Sequence, residues 1–308
     1  MKRYVILLIL LSFLLTGCIT VIPGETQTEA PATTDPTEES TVAQPVTGWV
    51  EEAGQTFYIR EDGSRQIGWL ELNDTRYYLD ADGVLQTGWL ELDGEVYYLK
   101  DDGSIARGKF VVEDRAYYFT STGAKVIVAN PWNIIPSDYE ADLIAAENGH
   151  RVDKSCRDAL LQMLADCRTA GYDAQIADAY RTHEDQVWLY NQKVNSYLDL
   201  GYSIADARKK AATVSAMPGT SEHEMGLAVD LVDSSYWVLE EEQENTPAQK
   251  WLLEHSWKYG FILRYPKGKT EFTGIVYEPW HYRYVGEKLA KELHELNLCL
   301  EEYLANLS

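Results

Sequence analysis

Residues 47–126 repeat a pattern of apolar, aromatic and turn positions with a period of twenty residues. Each unit has a short aromatic segment, an Asp-Gly or Thr-Gly pair and a second short segment, which is typical of a β-hairpin. Aligned glycines and tyrosines recur in all four units, namely Gly48, Gly68, Gly88 and Gly108 with Tyr58, Tyr78, Tyr98 and Tyr118. Because one hairpin buries too little surface to be stable alone, the repeat predicts a solenoid of stacked hairpins.

The pattern changes after residue 126 to amphipathic helices separated by short apolar strands. Residues 154–170 carry leucines at helical spacing and precede Gly171, a residue type that commonly ends a helix. A strand is predicted over 175–179 and another helix over 184–200. Since helices and strands alternate without the regular unit of a doubly wound sheet, we expect residues 127–308 to form an α+β domain.

The first residues have the composition of an export signal. Lys2 and Arg3 precede an apolar run that is too short to span a membrane. The following LTGC resembles the lipobox of bacterial lipoproteins, so residues 1–17 are expected to be a signal peptide and Cys18 to carry the lipid that anchors the chain to the membrane. An ordinary secretory signal is the alternative, and both predict a location outside the cytoplasmic membrane. Residues 18–46, rich in Thr, Pro, Glu and Ala, predict a disordered linker.

Charge and cysteine content narrow the possible functions. The formal net charge of −22 argues against a nucleic-acid partner, because the phosphate backbone would be repelled. Cys156 and Cys167 lie in one predicted helix, about 16 Å apart, which is too far for a disulfide. Cys299 is the remaining cysteine, and we expect no disulfide framework.

The stretch SEHEMGLAVD, residues 221–230, places His223 and Asp230 on either side of Gly226. Seven residues span about 10 Å in a helix and more than twice that in a strand, so both side chains can reach one metal only if the chain bends. Gly226 permits such a bend, and the residues after it alternate as in a strand. A zinc hydrolase usually has three protein ligands and a carboxylate base, and EPWHY, residues 278–282, offers His281 and Glu278.

These motifs resemble those of zinc D-alanyl-D-alanine carboxypeptidases of the VanY kind, whose fold is shared with the Hedgehog N-terminal domain. SEHEMGLAVD is similar to SxHxxGxAxD and EPWHY to ExxH, while residues 179–186 and 260–266 match two further motifs in the family's order. The likeness covers roughly residues 127–295. It implies a Hedgehog/DD-peptidase-like fold, Zn²⁺ bound by His223, Asp230 and His281, Glu278 as general base, and Arg181 on the scissile carbonyl or on the substrate's terminal carboxylate.

Neighbouring residues have smaller expected roles. Ser221 and Gln186 are candidates for hydrogen bonds to the substrate, and Tyr265 is a candidate for lining the pocket. Glu222 and Glu224 are expected to be solvated, because a metal site of this kind needs one base.

The repeats of residues 47–126 resemble the cell-wall-binding, or choline-binding, repeats of Gram-positive surface proteins. In that family aromatic side chains of adjacent repeats form cages for a quaternary ammonium group through cation–π attraction. The corresponding residues here are Trp49, Trp69 and Trp89 with Tyr58, Tyr78 and Tyr98, whereas the last repeat has Lys109 in place of tryptophan. The alternative is that these aromatics only form the core between stacked hairpins.

Together the motifs predict a wall-associated zinc carboxypeptidase that removes the terminal D-alanine from peptidoglycan stem peptides. The repeats would hold it on a wall polymer such as choline-decorated teichoic acid. Two alternatives stay open: an L,D-carboxypeptidase or endopeptidase with the same zinc fold, and a non-catalytic wall-binding protein.

Overall fold

The computed structural model describes residues 47–307, and the predicted signal peptide, Cys18 and the whole predicted linker lie outside this range. The repeats form four antiparallel hairpins: β1 (Gly48–Glu52) with β2 (Gln55–Ile59), β3 (Gly68–Leu72) with β4 (Thr75–Leu79), β5 (Gly88–Leu92) with β6 (Glu95–Leu99), and β7 (Gly108–Val112) with β8 (Arg115–Phe119). The predicted hairpin repeat is therefore confirmed.

The turns that close these hairpins differ from the sequence expectation. The sequence pattern favours Asp62-Gly63 and its equivalents, but β1 and β2 are joined at Ala53-Gly54, where both residues have positive φ as in a type I′ turn. The Asp-Gly turns instead lead into the segment that stacks on the preceding hairpin. In the second repeat this segment donates from Leu85 N to Thr56 O at 2.8 Å. Both turn types fit the local sequence, and the Asp-Gly turn serves the contact between neighbouring repeats.

The remaining chain adds seven strands and seven α-helices within the described range. They are β9 (Lys125–Val126), β10 (Leu143–Ala145), β11 (Arg151–Asp153), α1 (Lys154–Thr169), β12 (Ala174–Asp178), α2 (His183–Asp199), α3 (Ile204–Ala211), β13 (Ala228–Asp233), α4 (Pro247–His255), β14 (Phe261–Leu263), α5 (Thr270–Thr273), β15 (His281–Tyr284), α6 (Glu287–Leu296) and α7 (Leu300–Asn306). The α+β class is confirmed, and α1 and α2 each lie within one residue of the predicted helices.

One antiparallel sheet organises the C-terminal part, with strand order β12, β13, β15, β14. Helix α1 begins with Asp153 as N-cap, whose carboxylate accepts from Ser155 N at 2.9 Å. Its apolar side packs on the sheet, where Leu160 and Leu164 share a core with Val229 and Tyr282. All six residues of β13 are buried, so this strand is the centre of the domain.

The last repeat is continuous with the C-terminal domain. β9 pairs with β8, and Val126 belongs to the same apolar core as Leu289 of α6 and Leu300 of α7. Arg115 of β8 also forms two hydrogen bonds to Asp138, at 3.0 and 2.8 Å. This shared core attaches the repeats to the domain that carries the motifs.

Cys156, Cys167 and Cys299 are buried and free, as expected. Within residues 47–307, none of the helices has the length and apolar character needed to span a bilayer.

Gly226 makes the bend that the spacing of His223 and Asp230 requires. It ends a 3₁₀ turn over Glu222–Met225 with φ of 69°, a left-handed conformation that favours glycine. A Cβ at this position would lie 2.8 Å from Asp153 N and 2.9 Å from Leu143 Cδ2. Both the conformation and the close approach of β11 therefore require glycine here.

We predict that Gly226→Ala destabilises the protein more than Gly268→Ala. Gly268 has a similar φ of 75°, but a Cβ at this position would have no neighbouring atom within 4 Å. Gly268→Ala therefore measures only the free-energy cost of placing alanine in the left-handed conformation. That cost is about 1–2 kcal/mol for a left-handed alanine, and Gly226→Ala adds the overlap with β11. Urea unfolding of both variants gives the comparison, and equal losses of unfolding free energy would contradict it.

Candidate active site

Three side chains from two adjacent strands and a turn converge at one buried point. His223 lies in the 3₁₀ turn before β13, Asp230 in β13, and His281 directly opposite Asp230 as the first residue of β15. His281 Nδ1 is 3.1 Å from Asp230 Oδ1 and 3.3 Å from His223 Nε2, and the latter is 3.4 Å from the same Oδ1. The ligand atoms lie within 4.8 Å of one another, which is suitable for one metal ion.

The donor set fits a metal on chemical grounds as well. Asp230 Oδ1 is buried and has no hydrogen-bond partner, although both imidazoles approach it. His223 Nδ1 lies 2.6 Å from Ala179 O, so this nitrogen donates its proton outward and leaves Nε2 free to bind. Two imidazole nitrogens and a carboxylate oxygen are common ligands of zinc.

Glu278 lies at the edge of this cluster. It is 9% exposed, lines the cavity and has Oε2 3.7 Å from His281 Nδ1. In the metal-free protein, burial and the nearby charge of Asp230 raise the pKa of Glu278 to about 8. A carboxyl group whose pKa is raised toward neutral pH is suited to accept and return a proton.

Arg181 is fixed against the same cluster. Its Nε donates to Asp178 Oδ2 at 2.7 Å, and its second terminal nitrogen lies 3.4 Å from Asp230 Oδ2. Its first terminal nitrogen donates to Gln186 Oε1 at 2.7 Å. The guanidinium therefore lines the cavity in one orientation, next to the candidate metal ligands.

The position of Gln186 does not match the substrate contact predicted for it. It is fully buried and lies behind Arg181, and its side-chain amide also donates to Ala216 O at 2.7 Å. Both ends of the amide are used within the protein, so Gln186 orients Arg181 and does not present hydrogen-bonding groups to a substrate. Ser221 and Tyr265 do line the cavity, and the Tyr265 ring packs on His281 with 4.8 Å between ring centres.

The cavity in front of the cluster has a volume of about 580 Å³. One wall is formed by α2, including Trp188 and Lys193, and the other by Ile275 and Val276. Trp188 at the rim is 63% exposed. The cavity is therefore open to an extended ligand and has mostly apolar walls, with polar groups both around the candidate metal site and along α2.

The expectation that Glu222 and Glu224 are solvated is wrong. Glu222 is 1% exposed and contacts Arg264 Nε at 2.8 Å and Arg283 at 2.9 Å. The Glu224 side chain is 8% exposed and binds His183 Nδ1 at 2.7 Å. The arginines that pair with Glu222 are distant in sequence, so no local pattern indicated that this carboxylate is buried.

In the repeats, each tryptophan contacts two tyrosines. Trp49 lies 5.2 Å from Tyr58 across its own hairpin and 5.0 Å from Tyr77 of the next, measured between ring centres. The same arrangement recurs around the other two tryptophans, as Trp69 with Tyr78 and Tyr97, and Trp89 with Tyr98 and Tyr117. The tyrosines of the following repeat were missed because sequence alignment of the units does not show which ring faces the neighbouring repeat.

A buried His/Asp/His set with an adjacent carboxylate and arginine is the arrangement of a metal-dependent hydrolase. Residues 149–287 match the family described as "VanY: D-alanyl-D-alanine carboxypeptidase". Residues 47–64, 67–85 and 87–105 match the family described as "Putative cell wall binding repeat".

Individual relatives agree with these matches. A D-alanyl-D-alanine carboxypeptidase of Enterococcus faecalis is 41% identical over 180 residues, which cover 58% of this chain and 65% of that protein. The D,D-pentapeptidase VanY of a VanB-type vancomycin resistance cassette, solved as a variant with Zn(II), is 42% identical with a TM-score of 0.53 and covers 58% of this chain and 97% of that one. The LD-carboxypeptidase LdcB is 33% identical with a TM-score of 0.52, covering 59% and 86%. The chain belongs to the VanY D-alanyl-D-alanine carboxypeptidase family.

We predict that zinc binds more tightly as the pH rises. Burial lowers the pKa of His281, but its contacts with Asp230 and Glu222 outweigh this and raise the pKa to about 9 in the metal-free protein. Below that pH a metal must displace a proton from His281, so the affinity should rise by about tenfold per pH unit up to about pH 9. Competition with a chelator at several pH values measures this slope. An affinity that stays flat from about pH 7 to about 9 would contradict it.

Proposed function

We propose that this protein is a zinc-dependent D-alanyl-D-alanine carboxypeptidase that removes the terminal D-alanine from peptidoglycan stem peptides. The observation that carries the proposal is the convergence of His223, Asp230 and His281 beside Glu278 at the base of an open cavity. Membership of the VanY family and the zinc in a 42% identical relative support the same reaction and the same metal.

The three ligand atoms would be His223 Nε2, Asp230 Oδ1 and His281 Nδ1, which approach one another most closely. Zinc held there would act as a Lewis acid and make water nucleophilic near neutral pH. Glu278 would accept a proton from the attacking water on its carboxylate and later give it to the departing amine of D-alanine. Its burial and its position at the cavity edge serve both transfers.

Arg181 has one of two expected roles, on the scissile carbonyl or on the terminal carboxylate of the substrate. Its guanidinium lies 3.4 Å from Asp230, next to the ligand cluster, and this favours the scissile carbonyl oxygen, where negative charge develops. Asp178 and Gln186 hold the guanidinium in place, so little reorganisation is needed during the reaction. Ser221 remains a candidate for a hydrogen bond to the bound peptide.

We predict that Glu278→Gln lowers D-alanine release by about 10²–10⁴-fold while the protein still binds about one zinc per chain. The amide keeps the size of the side chain but cannot take a proton. The control is Glu244→Gln, since Glu244 bonds Tyr277 next to Glu278 but lies outside the cavity. Release of D-alanine from a purified pentapeptide, with metal analysis of the same samples, tests the role. Wild-type rates in Glu278→Gln would refute it.

The same preparation separates the proposed cut from the alternatives. Mass spectrometry of muropeptides after digestion should show conversion of pentapeptides to tetrapeptides. Accumulation of tripeptides would indicate the L,D-specificity found in LdcB, a relative with the same fold. Cleavage of cross-links would indicate an endopeptidase, and no turnover would leave a non-catalytic wall-binding protein.

For the repeats we propose attachment to a wall polymer that carries cationic groups, such as choline-decorated teichoic acid. The match to cell-wall-binding repeats and the tryptophan–tyrosine groups support this. The chain's own cations already lie over two of these groups: Arg76 is 4.2 Å from the centre of the Trp69 ring, and Lys125 is 5.6 Å from that of Trp89. Within residues 47–307, no such contact involves Trp49. The group formed by Trp49, Tyr58 and Tyr77 is therefore open to an external cation without displacing one of the chain's own.

We predict that Trp49→Leu removes the tightest phase of choline binding, because this variant deletes the group without a cation of its own. Tryptophan fluorescence titration of the whole protein with choline chloride measures the effect. Trp237→Leu is the control, since Trp237 is 58% exposed and outside the repeats. If Trp49→Leu titrates like the wild type, the Trp49 group is not the tightest site, and if the wild type itself does not respond to choline, the aromatic groups serve only as the stacking core.

We further propose that the protein acts outside the cytoplasmic membrane, in the Gram-positive wall. Cleavage after residue 17 and lipidation of Cys18 would attach it to the membrane, and residues 18–46 would form the tether between lipid and repeats. Metabolic labelling with a fatty acid, compared between the wild type and Cys18→Ala, tests the anchor.

A further inference from the structure

A group of charged residues, three of them buried, lies directly behind the candidate metal site and has no role in the proposed reaction. We call it the Glu222 cluster, and it consists of Glu222, Arg264, Arg283 and Glu301. The side chains of Glu222 and Arg264 are 0% exposed and that of Arg283 is 2% exposed. Two carboxylates balance two guanidinium groups, so the charges compensate one another. Buried charges are costly unless paired in this way, and such a cluster calls for an explanation.

The two oxygens of Glu222 have different surroundings. Oε1 accepts from Arg264 Nε at 2.8 Å and is 2.9 Å from a terminal nitrogen of Arg283. Arg264 uses its other two nitrogens on Glu301, at 2.9 and 2.6 Å. Oε2 has no hydrogen-bond partner, although it is buried. Both arginines therefore orient Glu222 through one oxygen and leave the other free.

The free oxygen points at a metal ligand. His281 Nε2 is also buried without a hydrogen-bond partner, and it lies 3.6 Å from Glu222 Oε2. Two unpaired buried groups of opposite character are costly, and a shift of a few tenths of an ångström joins them in an N–H···O hydrogen bond.

We propose that Glu222 is a positioning residue for the metal site, which accepts the Nε2 proton of His281 and so directs Nδ1 toward the metal. The inference rests on the proposed zinc site. His223 provides an internal parallel, because its outward nitrogen is also held by an acceptor, Ala179 O at 2.6 Å, and its other nitrogen faces the same point. Each histidine would thus have its tautomer and ring angle fixed from outside the site.

Glu222→Gln tests the proposal sharply because the arginines dictate how the amide must lie. They require an oxygen at the Oε1 position, so the amide NH₂ faces His281 Nε2 and donates to it. That contact favours the opposite tautomer, with the proton on Nδ1, where the metal should bind. We expect zinc affinity, measured by competition with a chelator, to fall by about 10–100-fold. The absorption bands of the Co(II)-substituted protein should shift as the ring angle changes.

Glu224→Gln is the matched control. Glu224 is a buried glutamate in the same 3₁₀ turn, but it bonds His183 and Gly219 N and does not contact His281. It should retain wild-type zinc affinity and the wild-type Co(II) spectrum. If Glu222→Gln also keeps both, or if both variants lose affinity equally, the proposal is overturned.

Loss of the charge balance around two arginines can prevent Glu222→Gln from folding, so a measurement on the wild type is also required. In the zinc-loaded protein labelled with ¹⁵N-histidine, His281 should show a protonated Nε2 and a metal-bound Nδ1. A metal-bound Nε2 would overturn the proposal without any variant. None of these readouts uses activity, so a protein that binds zinc as expected but releases no D-alanine would contradict the proposed function and leave the role of Glu222 intact.

Discussion

The pairing of β13 with β15 is the constraint on which the site depends. These neighbouring strands are antiparallel, and their register sets Asp230 directly opposite His281. Side chains opposite each other on one face of a sheet have Cβ atoms about 4.5–5.5 Å apart, close enough to share an ion. A shift of one residue would turn one of the two side chains to the other face. Burial of all six β13 residues holds the register, since a shift would also disturb the core packing of Val229 and Leu231.

Around this pair, the protein assembles charged and polar groups where water is largely excluded. Such groups are stable only when each has a partner, and the structure supplies one for most of them: Ala179 O for His223, Asp178 and Gln186 for Arg181, and two arginines for Glu222. Among the described residues, the buried atoms here without a hydrogen-bond partner include Asp230 Oδ1 beside the candidate ion site, the facing atoms Glu222 Oε2 and His281 Nε2, and also Arg283 Nη1 and Ser215 Oγ. The first three lie where a cation and a ligand-orienting contact would satisfy them.

The sequence indicated the residues of the site better than it indicated their surroundings. His223 and Asp230 could be paired because their separation and Gly226 constrain the local path of the chain, and His281 followed from a second short motif. The class of fold and the limits of α1 and α2 were also accessible, since helical periodicity is a local property. The burial of Glu222 was not, because it depends on Arg264 and Arg283, which lie more than forty residues away. Gln186 was misjudged for a related reason: its position in a motif does not reveal which way its amide points.

The junction between repeats and catalytic domain links the two halves of the proposed function. A flexible connection would let the cavity sample many orientations relative to the wall polymer. Here, however, Val126 shares a core with α6 and α7, and Arg115 is joined to Asp138 by two hydrogen bonds. Ser121 of the last repeat also bonds Glu292 of α6 at 2.9 Å. Polymer bound at the repeats would therefore lie in a fixed direction from the cavity. This junction would therefore set the angle at which a stem peptide meets Arg181 and Glu278.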